Sequence, residues 1–338
     1  MSHIIRLTDR SRTTTDWQCR RSRFYLTEFA GKGIVRATST LELDFGTDEH
    51  DALEELARRV GEADVVGDLA PRLFKRVFER EVDREGEVRA TELASIAEGS
   101  FRGFCKVVWP SILQLYDIVA VEVECLKTLS PWLKFMARPD LILRSKVTGQ
   151  HVYMEYKTTS WMDARWINCW QKAVQTHSGC MAAEETLGVP VEVCVVQGIY
   201  KGYQKEGHFR SVYSEGWRHL GGLNVTYSPV YMRTKGWEKF SPSTLPGGVA
   251  QWVNEQIPLD LLESQFPRTP PIYMRRDLCD NFFRDLVERE DAILHGIEEL
   301  KRQETQEGAN RVLSHYFPQN FEKCTPSFGG RDCTYLEC

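Results

Sequence analysis

RPDLILRSKVTGQHVYMEYK, residues 138–157, decides the fold. LILR at 141–144 and HVYMEY at 151–156 are rich in strand-forming residues, and the link between them carries Thr148 and Gly149. The stretch reads as a β-hairpin. With the turn centred between Val147 and Thr148, Asp140 falls opposite Glu155, and directly opposed side chains stand roughly 5 Å apart at Cβ. Lys157 follows Glu155 by two positions and leaves the strand from the same face. Two facing carboxylates repel each other in a plain hairpin. A hard divalent cation between them reverses that, because such ions take oxygen ligands. A protonated lysine beside them can hold a water or steady charge developing on a phosphate. The other reading of the same three residues is a solvated hairpin face with an ordinary Glu–Lys pattern.

The 338 residues are 42% hydrophobic and 27% charged, with a formal net charge of −5. That is the composition of a globular chain long enough for one large domain or two. No apolar run approaches the roughly 20 residues of a membrane span. The opening MSHIIRLTDRSRTTTDWQ lacks an apolar centre of signal-peptide length. A cytoplasmic protein with no membrane partner is expected. Ten cysteines in that compartment are thiols or metal ligands rather than disulfides. The slight acidity leaves nucleic acid open as a partner, since a local basic groove suffices.

Pro139-Asp140, followed on the next strand by Glu155-x-Lys157, resembles the signature of the PD-(D/E)XK nuclease superfamily. The resemblance implies an α/β, restriction-endonuclease-like core: a central mixed sheet flanked by helices. It implies Mg²⁺- or Mn²⁺-dependent hydrolysis of DNA phosphodiesters, with Asp140, Glu155 and the Tyr156 carbonyl on the metal and Lys157 on the attacking water or the pentavalent charge. Residues 46–60 start with a Gly-Thr turn and run into a helix, with Leu53, Leu56, Ala57 and Val60 at helical spacing. Gly46, His50, Leu53 and Glu54 resemble the first motif of the RecB-like branch, whose histidine reaches the metal. Residues 118–126, IVAVEVECL, alternate as one strand with Glu122 and Glu124 on one face. By position Glu124 is the better match to that branch's extra glutamate, in a secondary role, with an edge-strand solvent face as the alternative. Trp166–Leu187 reads as one helix ending at Gly188, with Pro190 beyond. Gln175 matches the glutamine of that branch's Gln-x-x-x-Tyr motif, although Gly179 stands at the tyrosine position; Gln171, one turn earlier, is the second choice. A glutamine there would position a phosphate or a water.

The tail, FPQNFEKCTPSFGGRDCTYLEC, holds Cys324, Cys333 and Cys338, spaced C-x₈-C-x₄-C. A zinc ribbon wants C-x₂-C knuckles, and none is present. With Cys19, which is followed by Arg20, Arg21, Arg23, Phe24 and Tyr25, the set resembles the iron–sulfur staple of AddB-type and CRISPR-associated RecB-family exonucleases. A [4Fe–4S] cluster takes four thiolates. The RecB-type Cys-Pro opening is not reproduced, since Arg20 follows Cys19. Incidental tail thiols are the alternative.

The expected organisation is one nuclease domain over 1–338. It holds a helical insertion at 64–118, a catalytic core at 119–200, an irregular strand and loop region at 201–275, and a C-terminal helix with the cysteine tail at 278–338. Arg218, Arg233, Lys235 and Lys239 interleave with Trp217, Tyr227, Tyr231 and Trp237, a palette for single-stranded nucleic acid or for packing an extended sheet. Arg72, Lys75, Arg76 and Arg80 read as a basic or merely solvated helix face. No Walker A pattern occurs, so a helicase or recombination motor would be a partner chain. The family analogy implies an exonuclease of recombination, repair or phage replication. Two rivals are a non-cleaving nucleic-acid-binding fold and a structural iron–sulfur subunit of a helicase–nuclease.

Overall fold

The computed structural model describes residues 5–34, 41–159, 164–200, 224–225, 232–233, 239–240, 259–263 and 265–320. The hairpin lies where the sequence places it. Strands β5 (Leu141–Ser145) and β6 (His151–Thr159) pair antiparallel, from Leu141 with Met154 to Arg144 with His151. One further step along this register sets Asp140 opposite Glu155. The turn closes on Gly149 at φ +72°, whose N–H donates to the Ser145 carbonyl at 2.9 Å. Glycine enters that left-handed region without a Cβ penalty.

Around the hairpin a five-stranded mixed sheet forms in the order β11–β7–β6–β5–β2. Strand β2 (Tyr116–Val121) runs antiparallel to β5, β7 (Val191–Tyr200) parallel to β6, and β11 (Ile272–Tyr273) antiparallel to β7. A second sheet, β1 (Arg6–Asp9), β4 (Leu133–Ala137) and β3 (Cys125–Ser130), stands apart from it. Of the region 201–258 only β8 (Asn224–Val225), β9 (Met232–Arg233) and β10 (Lys239–Phe240) are described, as a small antiparallel sheet. Trp217, Arg218, Tyr227, Tyr231, Lys235 and Trp237 lie outside the described residues.

The period of two along β5 and β6 sorts side chains onto two cores. Leu141, Leu143, Val152, Met154 and Tyr156 face helices α3 (Leu41–Arg58), α4 (Val65–Glu85), α5 (Glu87–Val107) and α6 (Trp109–Leu115). Ile142 and Tyr153 face α8 (Val174–Leu187). Helices α4 to α6 fall within the stretch expected to be helical, with Pro110 at the start of α6, where its missing N–H costs nothing.

Three local expectations are corrected. Helix α3 begins before Gly46, not after it. The glycine serves a close approach instead of a turn, since a Cβ there would lie 3.2 Å from Thr158 Oγ1. Residues 118–126 are not one strand: the chain leaves the five-stranded sheet after Val121 and enters the other at Cys125. Trp166–Leu187 is two helices, α7 (Ala164–Gln171) and α8, broken at Ala173 with ψ 119°. Side chains satisfy the carbonyls freed at the break. Thr176 Oγ1 donates to Ala173 O at 2.7 Å, and His177 Nε2 lies 3.0 Å from Gln171 O, an instance of side-chain hydrogen bonding competing with a helix.

The cations of α4 do not form a free basic face. Arg76 bonds the buried Asp48 at 2.8 Å, Arg80 bonds it too, and Arg72 pairs with Glu55 at 2.8 Å. These contacts clamp α3 to α4. At the N-terminal end, helices α1 (Arg10–Gln18) and α2 (Arg20–Arg23) pack with α10 (Arg276–Lys301) and α11 (Gln306–Tyr316), which follow a short α9 (Leu259–Glu263). Phe24, Tyr25, Ile293 and Phe317 form a third core there. Arg23, fully buried, and Arg6 share Glu28 and Glu290, so a buried ion network ties both ends of the described chain together. No helix among the described residues is long and apolar enough to cross a membrane.

Candidate active site

Asp140 sits in the bend just before β5, and its two oxygens do different work. Oδ2 accepts from the Tyr156 N–H at 2.5 Å, which locks it to the neighbouring strand. Oδ1 faces His50 Nδ1 at 2.7 Å, reached from mid-helix α3. The carboxylate is 6% exposed. Burial pushes its pKa up, but the charges of His50 and Lys157 and the hydrogen bonds from His50 and Tyr156 bring it below the usual carboxylate range. Burial opposes the His50 charge, yet Asp140 holds that imidazole's pKa above its ordinary value.

Glu122 joins this pair where the chain switches sheets. Its φ is +50°, uncommon for a residue with a Cβ, and its N–H donates to the Asp140 carbonyl at 3.1 Å. The strained turn brings the Glu122 carboxylate against Asp140, while Arg138 holds its outer oxygen at 2.9 Å. Burial and then the Asp140 charge push the Glu122 carboxyl up to about 8. His50, Glu122 and Asp140 each offer a ligand atom, all within 4.8 Å of one another. An imidazole with two crowded carboxylates is a donor set suited to a hard or borderline divalent cation. The mutual repulsion recorded in the Glu122 shift is what such a cation would relieve.

Glu155 and Lys157 leave β6 beside this group. Lys157 Nζ donates to Glu155 Oε2 at 2.5 Å, Gln175 Nε2 donates to the same oxygen at 3.2 Å, and the Tyr153 hydroxyl donates to Oε1 at 2.6 Å. Burial lowers the Lys157 pKa, but Glu155 and Asp140 outweigh it, so the ammonium stays charged. All of these side chains line one cavity of about 430 Å³.

The PD-(D/E)XK nuclease superfamily matches residues 17–213, more than half of the 338-residue chain. This protein belongs to that superfamily. A comparison with curated proteins gives no match. A metal-dependent nuclease fits both the family and the His50–Glu122–Asp140 group, and the mixed sheet with flanking helices fits a restriction-endonuclease-like core.

The structure redistributes some of the sequence expectations. His50, Asp140, Glu155, Lys157 and Gln175 come together in one cavity. Glu124 reaches its rim, but Glu122 stands against Asp140, because the turn at the sheet switch ends the alternation on which the choice of Glu124 relied. Gln171 is exposed on a different helix from Gln175, so the shared face assumed for them does not exist. Tyr153 was missed, although its spacing of two from Glu155 made the common face legible. Its ring lies against Gly179, where a Cβ would approach the ring carbon to 2.6 Å. The phenol that position 179 lacks thus arrives from the strand below. Cys19 is buried and receives the Asn320 N–H on its sulfur at 3.5 Å. Cys324, Cys333 and Cys338 lie outside the described residues.

Proposed function

We propose that this PD-(D/E)XK protein is a Mg²⁺- or Mn²⁺-dependent deoxyribonuclease that degrades DNA from ends, an exonuclease of the RecB-like branch. The convergence of His50, Glu122, Asp140, Glu155 and Lys157 on one cavity is the observation that supports this reading. His50, Glu122, Asp140 and Glu155, with the Tyr156 carbonyl, would hold the metal. When bound, the ion supplies Lewis acidity to a phosphoryl oxygen and lowers the pKa of the attacking water. Lys157, held charged by Glu155 and Asp140, stabilises negative charge on the phosphorane. Gln175 and Tyr153 fix the two oxygens of Glu155 in orientation. The buried hydrogen bond from Tyr156 to Asp140 keeps the hairpin from spreading.

The same reading gives the chain one nuclease domain and a [4Fe–4S] cluster on Cys19, Cys324, Cys333 and Cys338. What supports the cluster is the position of Cys19. Asn320 bonds its sulfur and also donates to the Gln18 carbonyl at 2.8 Å. Cys324 follows Asn320 by four residues, a contour of about 14 Å at most. Such a cluster would close the ends of the domain, and its binding energy would be folding energy. The setting would be cytoplasmic DNA recombination, repair or phage DNA processing, beside a helicase or recombination partner.

Digestion of end-labelled and circular single-stranded DNA with Mn²⁺ tests the activity: loss of linear DNA alone is expected. Cleavage of circles rejects a strict exonuclease, and no cleavage of either rejects the catalytic reading. Iron and sulfide analysis of anaerobically purified protein tests the cluster, with about four irons per chain expected. One zinc per chain, or ten free thiols, rules it out.

A further inference from the structure

The metal-ligand group stands between two clefts of opposite character. On one side, a cleft of about 370 Å³ is lined by His50, Asp51, Glu54, Glu122 and Arg138, and its charges are paired: Asp51 with Arg76, Glu54 with Arg58, Glu122 with Arg138 and His50 with Asp140. On the other, the active-site cavity continues into a pocket of about 290 Å³, the two sharing Arg10, Phe135, Gln175 and Ser178. The charged side chains of this second pocket are Arg10 and Lys172, and its rim carries Trp17. Among the described residues neither Arg10 nor Lys172 forms a salt bridge, whereas the arginines of α4 are all paired.

Trp17 is 45% exposed but not loose. Its ring stands edge-on to Phe282 at 5.6 Å, and Phe282 stands edge-on to the buried Phe135 at 5.9 Å. The indole is therefore held rigid with much of its surface in water. Helix α1 supplies Arg10 and Trp17, and the break between α7 and α8 supplies Lys172, so two elements converge on the pocket.

We propose that this pocket holds the nucleotides next to the scissile phosphate of a single strand, with a base stacked on Trp17 and phosphates paired with Arg10 and Lys172. The proposal rests on the reading of the metal centre as a phosphodiesterase. A duplex offers phosphates and sugars at its surface while its bases stay stacked inside, so a rigid aromatic over an apolar floor has nothing to grip. An unpaired strand offers both a base face and a phosphate. The asymmetry also fixes where the strand lies. Its held part occupies the side with the unpaired cations, and the opposite cleft, whose charges are already paired, offers phosphate no such partner, so the strand ends at the metal centre with only the released piece crossing it. A site that cuts within a long strand has to hold nucleic acid on both sides.

Binding measured by fluorescence anisotropy with EDTA present, so that no cleavage occurs, tests this with labelled oligothymidylate and a blunt duplex of equal length. Trp17→Ala should weaken oligothymidylate binding about 5- to 150-fold, the loss of one stacked base, with duplex binding unchanged. Trp17→Phe should recover most of the affinity. Arg10→Ala should make the salt dependence shallower by about 0.7 in the log–log slope, one single-strand phosphate contact. Thermal melting checks that each variant folds. Failure of the wild-type protein to bind oligothymidylate, equal losses on both probes, or a change under twofold for Trp17→Ala overturns the proposal. The readout does not depend on cleavage. A protein that never cuts but loses single-strand affinity on Trp17→Ala rejects the catalytic reading and keeps the pocket. One that cuts through its metal centre with Trp17→Ala binding as before rejects the pocket alone.

Discussion

Replacing Glu122 by glutamine should stabilise the metal-free protein and destabilise the metal-loaded one relative to wild type. The folded protein holds the Glu122 proton up to about 8, against an ordinary value of 4.5. Between those values the folded state binds more protons than the unfolded chain, so wild-type stability falls as pH rises, and the loss is complete above pH 8. At about 1.36 kcal/mol per tenfold, the full effect would be about 5 kcal/mol. Glu122 is 14% exposed and its partner Arg138 68%, and solvent screening at such a site reduces this to about 2 kcal/mol. Losing the Arg138 ion pair costs at most about 1 kcal/mol. The variant should therefore match wild type near pH 4 and exceed it by about 1–2 kcal/mol at pH 9 in EDTA. With Mn²⁺ at a hundredfold excess over the dissociation constant, wild type gains about 2.7 kcal/mol, and the variant, short of one charged ligand, gains less. The order of stabilities reverses once the variant's gain falls short by more than its lead in EDTA, about 1–2 kcal/mol. Urea unfolding at pH 4, 7 and 9, with EDTA and with Mn²⁺, reads both effects. A stability difference that is flat in pH, or a Mn²⁺ gain undiminished in the variant, would refute the placement of Glu122 at the metal.

Asp140→Ala and Glu155→Ala should each abolish cleavage; Asp140→Ala should also cost about 1–3 kcal/mol, because it strips the buried Tyr156 N–H of its acceptor, and full activity of either purified variant would sink the assignment. Lys157→Ala should lower single-turnover cleavage far more than DNA affinity, since its charge acts on the transition state; a variant that binds poorly but cuts bound DNA at the normal rate would contradict that role. Mn²⁺ binding near pH 7 should release between one and two protons, because His50 and Glu122 both hold theirs above their ordinary values and ligands must be deprotonated. Affinity should rise with pH accordingly, and calorimetry in two buffers of different ionisation heat would expose a release near zero.

The hairpin was legible because its period-two pattern and turn residues act over a few residues, and register then follows from the turn alone. The pairing from Leu141 with Met154 to Arg144 with His151 needed no tertiary information. Gln175 came instead from the resemblance to the RecB-like glutamine motif, counted back from the helix stop at Gly188 that ends α8. What failed depended on tertiary contacts. Glu122 adopts its left-handed conformation because β2 and β3 belong to different sheets, and no local signal in IVAVEVECL announces a change of sheet. The break before α8 rests on Thr176 and His177 capturing carbonyls, and both side chains are buried in a core that the sequence does not display. Gly46 looked like a turn residue, but only the crossing of α3 over Thr158 explains why it is small.

The ligand atoms of His50, Glu122 and Asp140 come from three separate stretches, and the repulsion between the two carboxylates would drive those stretches apart. Two like charges about 4 Å apart cost about 4 kcal/mol at the effective dielectric of a partly buried site. Each stretch is anchored by contacts outside the repulsion. Helix α3 is clamped by Asp48 to Arg76 and Arg80, with Asp48 only 1% exposed. Glu122 is tied by its own N–H to the Asp140 carbonyl, and Asp140 by the Tyr156 N–H. The fold thus holds the carboxylates closer than they would settle if free, and the cost appears in the raised Glu122 carboxyl rather than in a splayed cleft. A cation recovers that cost without needing to move the backbone. A preference for divalent over monovalent ions would follow: one positive charge cannot offset both Glu122 and Asp140, whereas two can, and Lys157 already pairs with Glu155.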